Sequence, residues 1–199
     1  NGDVKDLQVN GTEGVLEGQH AAGGLPTFNY GAGQFEHYEA IGGPTMTATI
    51  LKNRETCYSC AVRCKRAVET EWEGRPVERR HGGPEYETAA TFGSYCGVDD
   101  LDAISMANKI CNEYGLDTIG TGATIAWTME CFENGLITEA DLGFRAPFGD
   151  AAAMVRLAEM ISTREGFGDV EADADAGWPS AVTAPVDPAA YQIDPLEYM

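Results

Sequence analysis

The chain has 199 residues, with 13 basic against 32 acidic side chains and a net charge of −19. That balance excludes nucleic acid as a partner, because a phosphate backbone demands cationic neutralisation. No apolar run approaches the roughly 20 residues that cross a membrane, while the 43% apolar content is enough to build the core of one ordinary domain.

The first forty residues are glycine-rich and without strong periodicity. They read as an extended, loop-heavy opening, with Leu25, Pro26 and Thr27 as a stiff turn. Pro44 suits a first helical turn. The helix predicted after it carries Met46, Ile50 and Leu51 inward and ends near Glu55. A cysteine cluster follows. Residues 65–80 alternate in places around Glu73-Gly74 and predict a β-hairpin.

Gly82-Gly83-Pro84 opens a helix through Glu85, Tyr86 and Glu87 to Tyr95. Asp99 or Asp100 is an N-cap for the next helix, and Gly115 its natural C′ residue. That helix has two apolar stripes, Leu101/Ile104/Cys111 and Ala103/Met106/Ile110/Tyr114, so it is expected to be buried around much of its circumference. Thr118 can cap a further helix through Phe132, closed by Asn134-Gly135. Thr138 starts a short helical turn. Asp150 caps a last helix, with Met154, Leu157, Ala158 and Ile161 at i, i+3, i+4 and i+7, and Gly166 ends it.

From Asp169 the chain is rich in alanine, proline and aspartate and has no period, which reads as a linker or tail. The predicted fold is therefore mostly α. It is a helical domain over residues 1–168 with one small β-hairpin, followed by a tail over 169–199.

Cys57, Cys60 and Cys64 stand within eight residues, spaced C-x2-C-x3-C. Thiolates are soft anionic ligands, and three this close suit one zinc ion or one iron–sulfur cluster. The alternatives are disulfides, which suit small secreted domains, and a zinc site completed by His81. Zinc motifs usually pair two C-x2-C halves and only one is present, so the chemistry favours iron–sulfur. Cys96, Cys111 and Cys131 fall in apolar helical stretches and read as core residues. A reducing cytoplasm suits both groups.

Four stretches in order resemble one family. They are GGLPTFNYGAGQFE (Gly23–Glu36), CYSCAVRC, GGPEYETAATFGSYCGVDDLDAI (Gly82–Ile104) and NKICNEYGLDTIGTGATIAWTMECFENGLI (Asn108–Ile137). Together they resemble the middle, helical domain of the aldehyde ferredoxin oxidoreductases, which are tungsten enzymes with some molybdenum-using relatives. The resemblance implies a bis-pterin metal centre and a neighbouring [4Fe–4S] cluster. It also implies oxidation of an aldehyde to a carboxylic acid, with electrons passing through the cluster to ferredoxin. Cys57, Cys60 and Cys64 match three cluster ligands. Asn112, Gly115, Leu116, Asp117 and Thr118 lie in or beside a pterin-binding motif of the form Asp-x-x-Gly-Leu-Asp, with Asn112 replacing its first aspartate. Glu87 matches a proposed proton acceptor near the metal, and is expected on the first turn of a helix near buried aromatics, where a raised pKa would suit a general base.

The fourth cluster cysteine and a second Gly-Leu-Asp run belong to other parts of the family's chain and are not present here. The remaining domains of the full enzyme are thus expected partners. A competing reading is a zinc- or cluster-stabilised helical interaction module without catalysis. Separately, the acidic surface with only Lys5, Lys52, Lys65 and Lys109 as lysines points to adaptation to concentrated salt.

Overall fold

The computed structural model describes residues 2–170. The opening forty residues are more helical than their glycine content suggests. Helix α1 runs Gly2–Asn10, and α2, Val15–Ala22, follows a short 3-10 turn. Leu16 anchors α2 in the core, and Gly23, at φ +73°, ends it. Beyond α2 the expected irregular segment is present, with Thr27 bridged to Ala32.

Two short helices come next, α3 at Tyr38–Ile41 and α4 at Gly43–Thr49, with proline in the first turn of α4 as anticipated. The helix does not continue to Glu55. Leu51–Glu55 forms strand β1 instead and pairs antiparallel with β2, Lys65–Val68, in the register Asn53↔Ala67, Arg54↔Arg66 and Glu55↔Lys65. Leu51 and Ile50 fit a helical period equally well, so the pairing decides the outcome. The cysteine motif is the connection of this β-ribbon.

The second ribbon is the hairpin read from the sequence. Strands β3, Thr70–Trp72, and β4, Arg75–Val77, pair with Trp72 opposite Arg75. Glu73 and Gly74 both have positive φ, 49° and 76°, as a two-residue hairpin turn matching strand twist requires.

Helix α5, Tyr86–Ala89, passes into a π-helical turn at Ala90–Ser94. Helix α6 spans Leu101–Tyr114. Asp100 caps it by accepting from the Asp102 and Ala103 amides, and Gly115 closes it in the left-handed region. Helix α7 spans Thr118–Glu133. Its N-cap is Asp117, which accepts from the Gly120 amide, so the cap stands one residue earlier than expected. Thr138 and Asp141 form a reciprocal capping box on α8, Glu139–Leu142. Helix α9, Ala151–Thr163, is capped by Asp150 and ends on Arg164 in the left-handed region rather than on Gly166.

The core lies where α6 packs on α9 and α7. Ile104, Met106, Ile125, Met129, Met154, Leu157 and Ile161 are all essentially inaccessible there. A second small cluster of Met46, Ile50, Val68 and Leu101 seats the first ribbon. No helix among the described residues is long and apolar enough to cross a membrane. The expected tail lies almost wholly outside the described residues.

Close packing fixes the approach of α7 to the π turn. A Cβ built on Gly122 would lie 2.6 Å from Thr91 Cβ and 2.9 Å from the Thr91 carbonyl carbon. Backbone cannot swing aside as a side-chain tip can. Gly122→Ala should therefore cost about 1–3 kcal/mol through overpacking, read as a lowered urea midpoint with unchanged slope.

Candidate functional site

Residues 56–64 join β1 to β2. Cys60 N–H donates to the Cys57 carbonyl (3.1 Å), the tight turn that the first cysteine pair implies. Thr56 Oγ1 donates to the carbonyls of Cys57 (3.0 Å) and Cys60 (2.5 Å), which knots the loop at its base. Ser59 and Arg63 have positive φ, 56° and 57°, a costly conformation for residues with a Cβ. Cys57 is exposed, and Cys60 and Cys64 are half-buried.

The donor set fits a thiolate-held cluster in kind, since three thiols share one accessible loop and none enters the core. Among the described residues no three His, Cys, Asp or Glu side chains are disposed to hold a metal ion.

Cys96, Cys111 and Cys131 are core residues, as anticipated. Burial pushes the Cys96 thiol strongly up and, with Glu130 nearby, the Cys131 thiol up to about 12. These two thiols favour the protonated form, and neither is a ready fourth ligand. His81, weighed as a zinc ligand, instead faces Glu113 (3.4 Å) and Glu78 (3.5 Å), in a network where Lys109 also pairs with Glu78 at 2.9 Å.

Glu87 occupies the first turn of α5 as expected; its side chain is exposed, and its charge acts on the buried Tyr95 and the half-buried Tyr86. Glu85, two residues earlier, is half-buried and accepts from Thr12 Oγ1 (2.5 Å), which in turn accepts from the Tyr86 amide (2.9 Å).

The Asn112–Thr118 segment forms the corner between α6 and α7. Gly115 stands at φ +72° with open space where a Cβ would be, and Leu116 N–H reaches back to the Cys111 carbonyl (2.9 Å). Asp117 is exposed even while capping α7. Asn112 is also exposed, its amide bonded to the Asn108 carbonyl (2.8 Å). An accessible carboxylate beside a glycine corner suits the N–H donors of a pterin ring, so this donor set also fits its expected group.

Two of the three segments meet directly. Thr88, beside Glu87, shares a 2.8 Å hydrogen bond with Thr118, and Thr91 Oγ1 donates to the Thr118 carbonyl (3.2 Å). The cysteine loop is tied instead to α1, through Gln8 Nε2 on the Ala61 carbonyl and Arg54 on the Gln8 carbonyl. Contact then passes through Thr12 to Glu85. A cleft of about 520 Å³ lined by Arg75, Tyr114, Arg156 and Glu159, and one of about 340 Å³ beside β1, include none of Glu87, Asp117 or the three cysteines.

Sequence reasoning missed two buried charges. Glu13 and Arg66 are both 0% exposed. Both Glu13 carboxylate oxygens lack a hydrogen-bond partner among the described residues. Burial raises its pKa well above the usual carboxylate range, aided by Glu85 and opposed by Arg66. Burial also lowers the Arg66 pKa, with Glu13 opposing that shift. A glutamate between two glycines in a polar run gives no signal of burial.

These features stand on a chain whose relatives are oxidoreductases. Residues 1–177 match the family model described as aldehyde ferredoxin oxidoreductase, domains 2 and 3. The chain belongs to that family. The tungsten-containing aldehyde ferredoxin oxidoreductase of Thermococcus kodakarensis is 38% identical over 146 residues, covering 72% of this chain and 23% of the relative. That of Pyrococcus furiosus is 37% identical over the same span and shares. The aliphatic sulfonate oxidoreductase WOR-like subunit of P. furiosus is 30% identical over 125 residues, covering 63% and 20%. The chain thus spans about a quarter of the length of the tungsten relatives.

The solved active-site complex BamBC of benzoyl coenzyme A reductase with 1,5-dienoyl-CoA superposes with a TM-score of 0.51 at 22% identity. It covers 70% of this chain and 20% of its own. That likeness is one of fold.

Proposed function

We propose that this chain is part of an enzyme that oxidises aldehydes to carboxylic acids at a tungsten or molybdenum bis-pterin centre. Electrons would leave through a [4Fe–4S] cluster to ferredoxin. The overall change adds the elements of water to the aldehyde carbon and releases two protons and two electrons. When bound, the pterin metal supplies the two-electron acceptor and the cluster the one-electron exit.

In this reading Cys57, Cys60 and Cys64 would supply three of the thiolates that hold the cluster. The fourth ligand comes from outside these residues. Asp117 accepts hydrogen bonds from the pterin ring, Gly115 admits close approach, and Asn112, Leu116 and Thr118 complete the corner. Glu87 removes a proton during oxidation, and the missing portion of the enzyme covers it from water. The observation that carries the reading is the 38% identity to a tungsten-containing aldehyde ferredoxin oxidoreductase over 146 residues that include every one of these motifs' neighbourhoods.

The test is aldehyde-dependent reduction of a viologen dye by the whole protein. The wild type should turn over, and Glu87→Gln should lower kcat by about 10²–10⁴-fold, the range of a lost general base. A wild type inactive on short and aromatic aldehydes alike would overturn the activity. A fully active Glu87→Gln would overturn the role of Glu87.

The proposal includes a cytoplasmic location, which suits six free thiols, and adaptation to high salt. A net charge of −19 repels itself. The screening length falls from about 10 Å at 0.1 M to about 3 Å at 1 M salt. The melting temperature should rise between those concentrations of potassium chloride. A flat or falling curve contradicts salt adaptation.

A further inference from the structure

We infer that Arg66 is a positioning residue for the cysteine loop, setting the conformation from which Cys64 reaches the cluster. The inference rests on the cluster reading above. Arg66 is fully buried, and among the described residues its guanidinium donates to backbone carbonyls. Nε bonds Cys64 O (2.8 Å) and Nη2 bonds Arg63 O (2.9 Å), the last two residues of the loop. Nη1 bonds Val9 O (2.8 Å), and Nη2 also reaches Gln8 O (3.3 Å) and Leu7 O (3.4 Å).

Leu7, Gln8 and Val9 lie in the last turn of α1, where carbonyls run short of intrahelical donors and carry the negative end of the helix dipole, although the Leu7 carbonyl also accepts from the Gly11 amide (3.1 Å). One rigid fork therefore joins a helix end to the ligand loop. A lysine, with a single point of charge, cannot hold both sides at once.

The held carbonyl matters because of its residue. Arg63 has φ +57°, a strained conformation that persists only where surrounding structure enforces it. Its own side chain bonds the Arg54 carbonyl on β1 (2.8 Å), and Arg66 fixes the carbonyl on the other side. Arg63 immediately precedes Cys64, so its backbone angle sets the direction in which Cys64 leaves the loop.

Glu13 stands across Gly11 from the guanidinium. A Cβ on Gly11 would lie 2.8 Å from Glu13 Oε2 and 3.0 Å from Arg66 Nε. Gly11, at φ +74°, is the one residue type that leaves room for the pair. Groups that orient a metal ligand from behind change metal affinity by about 10–100-fold when removed.

The test uses the whole protein, purified without oxygen, in three forms: wild type, Arg66→Lys, and Arg66→Met combined with Glu13→Gln. The lysine variant keeps the charge and loses the fork. The double variant removes both buried ionisable groups, so no lone carboxyl strains the fold. Circular dichroism reports folding, iron and sulfide analysis reports cluster per folded chain, and a chelator reports the rate of iron loss. Electron paramagnetic resonance of the reduced protein reports the cluster's surroundings.

Both variants should fold, lose iron about tenfold faster or more, and give an altered resonance line shape. A merely structural arginine would lower the melting temperature and leave iron loss and line shape per folded molecule at wild-type values; that result overturns the inference. Failure of both variants to fold also overturns it, making Arg66 a residue of the fold. A wild type without iron overturns the cluster reading itself, and this inference with it.

Discussion

Phe92→Ala should lower the free energy of unfolding by about 3–5 kcal/mol, the range for removing a buried aromatic ring and leaving its cavity. Phe92 is 0% exposed and sits in the π turn, which packs against α7 and α6. Neighbouring close contacts at Gly93 and Gly122 leave the backbone little room to collapse into the void. A urea titration of the single variant reads the loss. Ile119→Ala, at a side chain 46% exposed on α7, serves as the comparison and should change stability by no more than about 0.5 kcal/mol. A Phe92→Ala cost near that of Ile119→Ala would show that the π turn is not part of the cooperative core.

Glu13→Gln should stabilise the protein at neutral pH and flatten its stability against pH. Burial raises the Glu13 pKa well above the usual carboxylate range in the folded state, while in the unfolded chain the carboxyl ionises in the ordinary range. Between these two values the folded state binds more protons than the unfolded one. Stability then falls as pH rises, by up to about 1.4 kcal/mol per pH unit for one proton, until the folded carboxyl itself ionises. Below the unfolded pKa the penalty is absent. Glutamine has the same shape and no proton to lose, so its contribution should be level through this window. The measurement is the melting temperature of both proteins from pH 4 to pH 8. Curves that stay parallel would show Glu13 to be ionised in the folded protein.

The helices α6, α7 and α9 were legible because their signals are local. Asp100 and Asp150 cap as their positions imply, and the apolar residues of α9 recur at helical spacing. The hairpin turn was legible because Glu73-Gly74 separates two alternating runs. The start of α7 was misplaced by one residue because Asp117 and Thr118 are both good caps.

The first two helices were not legible because little in their own sequence holds them. The end of α1 is closed by Arg66, from the far side of the cysteine motif, and α2 buries Leu16 alone. Strand β1 was read as helix because register is a property of two strands, and β2 stands beyond the cysteine loop. The same division holds for the site. A cysteine trio within eight residues announces itself, as does a Gly-Leu-Asp corner. The burial of Glu13 and Arg66 comes from α1, the β-ribbon and the segment before α5 converging, which no window of sequence contains. Glu87 stands on the first helical turn near Tyr86 and Tyr95, as its place in the sequence suggests, but it is exposed, while Glu85 two residues earlier is the carboxylate that the fold engages.

We propose that this chain carries three ligands of an iron–sulfur cluster and a corner that holds a pterin-bound metal. Elemental and sulfide analysis of the whole protein, isolated without oxygen, tests this proposal most directly. About four iron and four sulfide per chain are expected, with one tungsten or molybdenum, and loss of the iron when Cys57, Cys60 and Cys64 are replaced by serine. A colourless protein with one zinc per chain, no iron and neither heavier metal would contradict it and leave a zinc-stabilised helical module in its place.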